Sequence, residues 1–509
     1  MTLSCPSRES RGPRSIGWLV GALLLGCSAT SIDKPNGANG SGGTGSAGSP
    51  SFGGDLSTTV DLHRHCDSSL KCRKVDCPAD SSPSTTSVSG IVYDPAGRVP
   101  LYNAVVYVAQ PDVDLEPLGQ RAQCESCSAN FPKKGVVAAA LTQSDGSFRL
   151  TDMPTGKDVP LIIQLGKWRR VVNIDSVPPC TDTPLPPDLT RLPRNSSEGD
   201  LPKIAVTTGG SDALECLLKK IGVDVAEFTP DSGKGRVNLF QGFRAAPTMN
   251  VDGASLALKP AEELWASSDR MLDYDMILMG CEGEGSIWKP KPTVDGSSPR
   301  PIAMQLEVRK YADLGGRIFG SHWHHRWINS DNTTPDNPYP PTGPAVAQFA
   351  KSSGGVDDLT VSVDASFPKG AAFRDWLLNV HASTTAGQLD LRKLEHSVDS
   401  VNPTLARRWI FGTDPDGVAG TSRLPDMVQY FSFTTPVGAA ECGRMVFSDV
   451  HVSFGGGDYA ATPFPDRCLA SPDSELSPQE KALEFMIFDL SSCIQKEDDE
   501  VSSPITVVK

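Results

Sequence analysis

The sequence predicts a multi-domain chain in which a β-sandwich precedes an open, doubly wound α/β sheet interrupted by an insertion. Three observations carry the prediction. Between 87 and 174, short apolar segments alternate with turn residues at close spacing, the texture of a sandwich. From 203 onward, buried-strand runs alternate with helical periods, which argues for parallel β–α–β units. Between about 329 and 435 the periodicity is poor, and this stretch reads as an insertion or flap with extra strands. A length of 509 residues accommodates two to four domains.

The chain opens with Arg8, Arg11 and Arg14, then an apolar run to Gly26 that is too short to span a bilayer. Residues 1–26 read as a secretory signal. Its end, Leu24-Leu25-Gly26-Cys27, resembles the bacterial lipobox, which implies lipidation of Cys27 and anchorage in a membrane. Ser28 after the lipobox points to the outer membrane of a Gram-negative envelope. Residues 27–60 are Gly- and Ser-rich and form a tether of about 25–30 Å r.m.s. reach. In 61–85, His63, His65, Cys66, Cys72 and Cys77 match no zinc spacing and read as a small disulfide-stapled knot.

Net charge is −14 with no basic block beyond the signal, so phosphate backbones would be repelled and nucleic acid is not an expected partner. Of 13 cysteines, 11 remain once Cys5 leaves with the signal and Cys27 carries lipid, and an odd count leaves a thiol unpaired. Cys216 and Cys281, in apolar contexts, are the candidates for buried free thiols.

The sandwich is expected over 86–177. Residues 89–93 (SGIVY) alternate, 94–97 (DPAG) turn, and 104–108 (AVVYV) form a second strand. Then 138–142 lead to the hairpin signal Asp145-Gly146 and 147–150, and 159–165 and 169–174 complete the set. The stretches SGIVYDPAGRVPLYNAVVYV, TQSDGSFRLTDMPTG and VPLIIQLGKWRRVVNI resemble the carboxypeptidase regulatory-like, transthyretin-like module, with Gly90, Asp145, Gly146 and Phe148 on its pattern. That resemblance implies a recognition or spacer domain without catalysis. Cys124 and Cys127 interrupt it in a loop and are expected to form a loop staple or a disulfide to Cys180. Residues 178–201 read as a Pro-rich linker.

The α/β domain is expected over 202–495, followed by a tail, 496–509. Residues 203–208 form a buried strand, and Ser211 is a fair N-cap for a helix through Lys220. Residues 274–279 form the next strand, ending at Gly280-Cys281-Glu282-Gly283-Glu284. A helix over 304–314 stops at Gly315-Gly316 and feeds the strand 317–320, which runs into Ser321-His322-Trp323-His324-His325. Residues 445–448 form a late strand delivering Asp449 and His451. A capping box at Ser477 and Glu480, with Pro478 at the first position, opens the last helix.

Ligands of such sheets bind at the carboxyl ends of the strands. The candidate residues there are His322 and His451 for catalysis, and Glu282, His324 and Asp449 for binding. The residues allow a divalent metal such as Zn²⁺ or Mn²⁺, a sugar stacked on Trp323 or Trp327, or a degenerate site whose histidines only cap strand ends. His324 and His325 are adjacent, so both are not expected to face one pocket.

YDMILMGCEGEG, VRKYADLGGRIFGSHW and CGRMVFSDVH resemble the class I glutamine amidotransferase-like fold in its trehalose-utilisation (ThuA-like) branch, which implies a flavodoxin-like sheet. The elbow position that holds the nucleophilic cysteine in glutaminases is His322 here, and Ser453 stands where they carry the orienting Glu. Cys281 belongs to a different strand. No Cys–His–Glu triad is expected, and thioester chemistry is disfavoured. The whole layout resembles a myxobacterial-type lipoprotein family. The expected function is a non-catalytic envelope protein binding carbohydrate or another envelope protein. The alternative is an exported hydrolase or isomerase acting on a sugar-like substrate through His322 and His451, with or without a metal. The two part on whether those histidines converge on a common atom.

Overall fold

The computed structural model describes residues 69–507 apart from 116, 120, 125–126, 284–300, 329–344, 453–460, 469–474 and 506. The signal, Cys27, the tether, His63, His65, Cys66, Glu284 and Ser453 lie outside the described residues. The protein is rich in sheet, built from several sheets and a few helices.

The alternating segments of the first half form β1 (Ser87–Ile91), β2 (Val105–Ala109), β3 (Val136–Leu141), β4 (Ser147–Thr151), β5 (Gly156–Leu165) and β6 (Trp168–Val177). The Pro-rich stretch that follows is woven into them. It supplies β7 (Asp182–Pro184), the short helix α1 (Pro187–Thr190) and β8 (Gly199–Asp200). One sheet runs β4-β1-β7 and the other β3-β2-β5-β6-β8. The pairing of β7 with β1 is pinned by Asp182, whose carboxylate accepts from the Ser87 and Ser89 hydroxyls at 2.6 and 2.7 Å.

The second half is organised by one ten-stranded sheet. Its parallel part contains β9 (Ile204–Thr208), β10 (Phe228–Pro230), β11 (Val237–Gln241), β14 (Met276–Met279), β15 (Arg317–Ser321) and β22 (Gly443–Ser448), in the order β10-β11-β9-β14-β15-β22. The order continues antiparallel through β21 (Asp426–Thr435), β20 (Arg407–Thr413), β17 (Leu359–Val363) and β18 (Gln388–Leu391). Much of the expected flap therefore extends the main sheet. Its signal was hidden because β21 is buried along almost its whole length, so its residues do not alternate. Two small ribbons stand apart: β12 (Thr248–Val251) with β13 (Ala254–Ala257), and β16 (Ala347–Val356) with β19 (Leu394–Val401).

The parallel strands have a core on each face. Ile204, Val206, Met276, Leu278 and Phe319 point into one, and Ala205, Ile277, Met279, Ile318 and Phe447 into the other. Helices α3 (Ala261–Trp265), α4 (Ser268–Met271) and α5 (Pro301–Asp313) cover the second face. Helices α2 (Leu214–Lys220), α6 (Pro368–Asn379) and α7 (Pro478–Ser491) contribute to the first, which they share with the two sheets of the first half. Trp168 of β6 packs on Phe488 of α7 with ring centroids 5.8 Å apart, and Trp376 donates to the Pro100 carbonyl at 2.7 Å. Gly166 (φ +55) is required here, since a Cβ would lie 1.9 Å from the Ser491 carbonyl. This common core explains why His65–Lys509 is one compact unit.

Helix α7 starts as expected: Ser477 accepts from the Glu480 amide and Glu480 accepts from the Ser477 amide, at 3.2 and 2.8 Å. Helix α2 does not, since it begins at Leu214 with no side-chain cap.

The disulfides join distant segments: Cys77–Cys180, Cys124–Cys442 and Cys216–Cys468. Cys72 and Cys493 are also disulfide-bonded. Three expectations are thereby corrected. Cys77 is not paired within a local knot, Cys124 pairs with Cys442, just before β22, rather than within its own loop or with Cys180, and Cys216 is not a free thiol because α2 lies against the 461–468 segment. Among the described residues, Cys281 is the free cysteine, and it is buried. No helix among them is long and apolar enough to cross a membrane.

Candidate metal centre at three strand ends

Strands β14, β15 and β22 are neighbours, with Met279 opposite Gly320 and Ser321 opposite Ser448. Their carboxyl ends therefore open onto the same spot. The chain leaves β14 through Gly280–Gly283, β22 through Asp449–Val452, and β15 by a sharp turn into the 3₁₀ helix His322–Trp327. His322 makes that turn with φ +40, a left-handed conformation that costs a non-glycine residue about 1–3 kcal/mol. Strain held at one residue on a strand end commonly accompanies a positioned functional side chain.

The turn places the His322 ring between its neighbours. His322 Nδ1 lies 3.4 Å from Cys281 Sγ, and the ring centroid is 5.3 Å from that of His451. One donor atom each of Cys281, His322 and His451 falls within 4.8 Å of the other two. On the far side of His322, Nε2 lies 3.7 Å from Oε2 of Glu395, a residue of β19. Cys281 is held in place by its own backbone, whose carbonyl accepts from Ser211 and Asp212 at 2.9 and 3.1 Å. This close approach requires Gly209, because a Cβ there would sit 2.1 Å from the Cys281 oxygen. Asp212 ties the strand ends together, accepting from Ser321 Oγ at 2.6 Å and from the Val452 amide at 2.9 Å.

Burial sets the charge states. It holds His322 well below the usual imidazole range, aided by the neighbouring histidines, and it lowers His451 against the opposing pull of Asp212. It pushes the Cys281 thiol up. Glu395 is raised by burial to about 7, with Arg423 opposing. At neutral pH the centre thus presents two neutral imidazoles and a thiol, with no charged ammonium or guanidinium among the three. His451 Nε2 is buried with no hydrogen-bond partner.

The other expected residues are engaged elsewhere. His324 Nε2 donates to the Gly280 carbonyl at 3.1 Å while its Nδ1 accepts from Trp327 Nε1 at 2.8 Å, so both ring nitrogens are satisfied. His325 donates to the His322 carbonyl at 3.0 Å. Asp449 accepts from the Ser397 amide and hydroxyl at 2.8 and 2.9 Å. Glu282 is buried, raised to about 8 by that burial, and accepts from the Phe243 amide at 2.8 Å. None of these three binding candidates (Glu282, His324 and Asp449) contributes to the trio. Sequence reasoning missed Glu395 and Asp212, which no motif marks, and it left Cys281 outside the site because adjacency of β14 and β15 is a property of topology.

A Cys–His–Glu constellation does assemble, contrary to expectation, from Cys281, His322 and Glu395 on three different elements. It is poorly suited to nucleophilic catalysis. The thiol is fully buried, its pKa is raised, and that of the imidazole beside it is lowered, so both shifts oppose a thiolate–imidazolium pair. Metal ligation suits Cys281 and His322, together with His451, better, because neutral imidazole is the ligating form.

No family model matches the chain, and no curated protein matches it. Among solved structures, a C-terminal interface mutant of a type II cohesin–X-dockerin complex from Acetivibrio cellulolyticus matches at 15% identity. It covers 30% of this chain and 79% of that one with a TM-score of 0.14, a similarity that carries no argument.

Proposed function

We propose that this chain is an exported, lipid-anchored envelope protein whose α/β half hydrolyses a sugar-like substrate at a centre built on His322 and His451. The observation that carries the reading is their convergence: side chains 129 positions apart (451 − 322) meet with ring centroids 5.3 Å apart beside Cys281. A scaffold has no need of that arrangement. Export is supported by the long-range disulfides, which persist in oxidising compartments. The positive-φ turn at the end of a parallel strand supports the amidotransferase-like reading of the sheet, and the two-sheet first half supports the transthyretin-like one. Lipidation at Cys27 rests on the lipobox, and an outer-membrane address on Ser28.

The test is turnover of a panel of oligosaccharides by the full chain. Wild type is expected to hydrolyse at least one, and His322→Asn to lose about 10²–10⁴-fold in rate. No turnover in wild type, or equal turnover in the variant, would refute the reading. A second reading, a non-catalytic carbohydrate- or envelope-binding module, is favoured by one observation: Cys281 and His322 are 0% and 5% exposed. Saturable glycan binding without turnover, unchanged in His322→Asn, would select it.

A further inference from the structure

We propose that Cys281, His322 and His451 are the three protein ligands of a zinc ion. This deepens the hydrolase reading, since it concerns the same site and names its cofactor.

The geometry comes first. Bond lengths of about 2.3 Å to sulfur and about 2.05 Å to nitrogen in a tetrahedral site place S and N about 3.6 Å apart and two N about 3.3 Å apart. The Cys281 Sγ to His322 Nδ1 separation of 3.4 Å is close to such an edge. The other two separations, at most 4.8 Å, exceed it by no more than about 1.5 Å, a distance that side-chain rotation covers. Donor type comes second. One thiolate and two imidazoles favour zinc over magnesium, calcium or manganese, which prefer oxygen.

Two further observations point to an occupant. His451 Nε2 is a buried imidazole nitrogen without a partner, which is costly unless something binds it. Glu395 stands 3.7 Å from His322 Nε2, the nitrogen left over once Nδ1 faces the ion. A carboxylate on the outer nitrogen of a zinc-bound histidine fixes its tautomer and raises its basicity. The Gly283 amide donates to Cys281 Sγ at 3.4 Å, a contact that stabilises a bound thiolate. Ligation also accounts for a reduced Cys281 in a chain where Cys72, Cys77, Cys124, Cys180, Cys216, Cys442, Cys468 and Cys493 are in disulfides. Three protein ligands leave one position for water, the arrangement of catalytic rather than structural zinc.

The test uses the full chain, purified after export, stripped with chelator and reloaded with Zn²⁺ alone or Co²⁺ alone. Elemental analysis is expected to find about one zinc per chain, and the cobalt form a thiolate-to-metal charge-transfer band. Cys281→Ser should abolish that band and His451→Ala the stoichiometric binding, while Glu395→Gln should weaken zinc affinity about 10–100-fold. Wild type without zinc, zinc retained equally by both ligand variants, or a wild-type cobalt spectrum lacking the thiolate band would overturn the proposal. The last readout needs no variant to fold. Zinc bound without sugar turnover would keep this site and remove the hydrolase reading. Turnover dependent on His322 in zinc-free chain would do the reverse.

Discussion

Asp94 offers a quantitative test of how the sheets of the first half are joined to the second half. It lies in the turn after β1, fully buried, where Oδ1 accepts from the Arg98 and Val99 amides at 2.7 and 3.2 Å. Among the described residues its other oxygen has no hydrogen-bond partner, and neither has the carboxyl of Glu484 on α7, itself fully buried. Burial raises Asp94 from 3.8 to about 6, and burial together with the Asp94 charge raises Glu484 well above its ordinary value. A carboxyl whose pKa is raised by folding stabilises the fold fully below its unfolded pKa, and that stability is lost as pH rises through the folded pKa. A shift of roughly 2 units corresponds to about 3 kcal/mol, lost between about pH 4 and pH 6. Asp94→Asn keeps the acceptor for both amides and removes the ionisation. The variant should therefore match wild type within about 0.5 kcal/mol near pH 4 and exceed it by about 3 kcal/mol near pH 7. Urea unfolding followed by tryptophan fluorescence measures this, with Trp168 and Trp376 reporting from the same core. A difference that does not change with pH, or a variant less stable than wild type near pH 7, would refute the reasoning.

Other expectations follow from the same packing. Arg444 is buried between Asp489 and Glu497 at 2.9 and 2.7 Å, and Lys369 also pairs with both, at 2.8 and 3.7 Å, so Arg444→Met should cost about 3–5 kcal/mol in urea unfolding by leaving two buried carboxylates to share Lys369. Replacing both Cys216 and Cys468 by Ser removes the link that holds α2 against the 461–468 segment, and should lower stability by about 2–5 kcal/mol in the same assay. His324→Gln breaks a doubly bonded ring and should lower stability by about 1–3 kcal/mol while zinc content stays near one per chain. Loss of zinc in that variant would contradict the placement of His324 outside the trio.

Local signals in the sequence carried the strand and helix positions well where burial was one-sided or caps were explicit. Residues 104–108 read as a strand and β2 is Val105–Ala109, and the capping box at Ser477 opens α7 as expected. The signal fails where burial is two-sided: β21 reads as featureless because both its faces are covered, so its place in the main sheet is not legible. Pairing was equally invisible. Nothing near Cys124 or Cys216 names Cys442 or Cys468, which lie 318 and 252 residues away. At the site, the histidines were legible because they follow strand-like runs, whereas the identity of their partners depends on strand order. Only the adjacency of β14, β15 and β22 brings Cys281 to His322, and only β19 brings Glu395. A sequence cannot say which of two neighbouring histidines has both ring nitrogens satisfied at home, as those of His324 are.

X-ray absorption at the zinc edge of the zinc-loaded full chain reads the donor atoms themselves. The expected first shell holds one sulfur at about 2.3 Å and two imidazole nitrogens at about 2.0–2.1 Å, with a fourth light atom completing it. A first shell of nitrogen and oxygen without sulfur, or two or more sulfurs, would contradict the meeting of Cys281, His322 and His451 on a single ion.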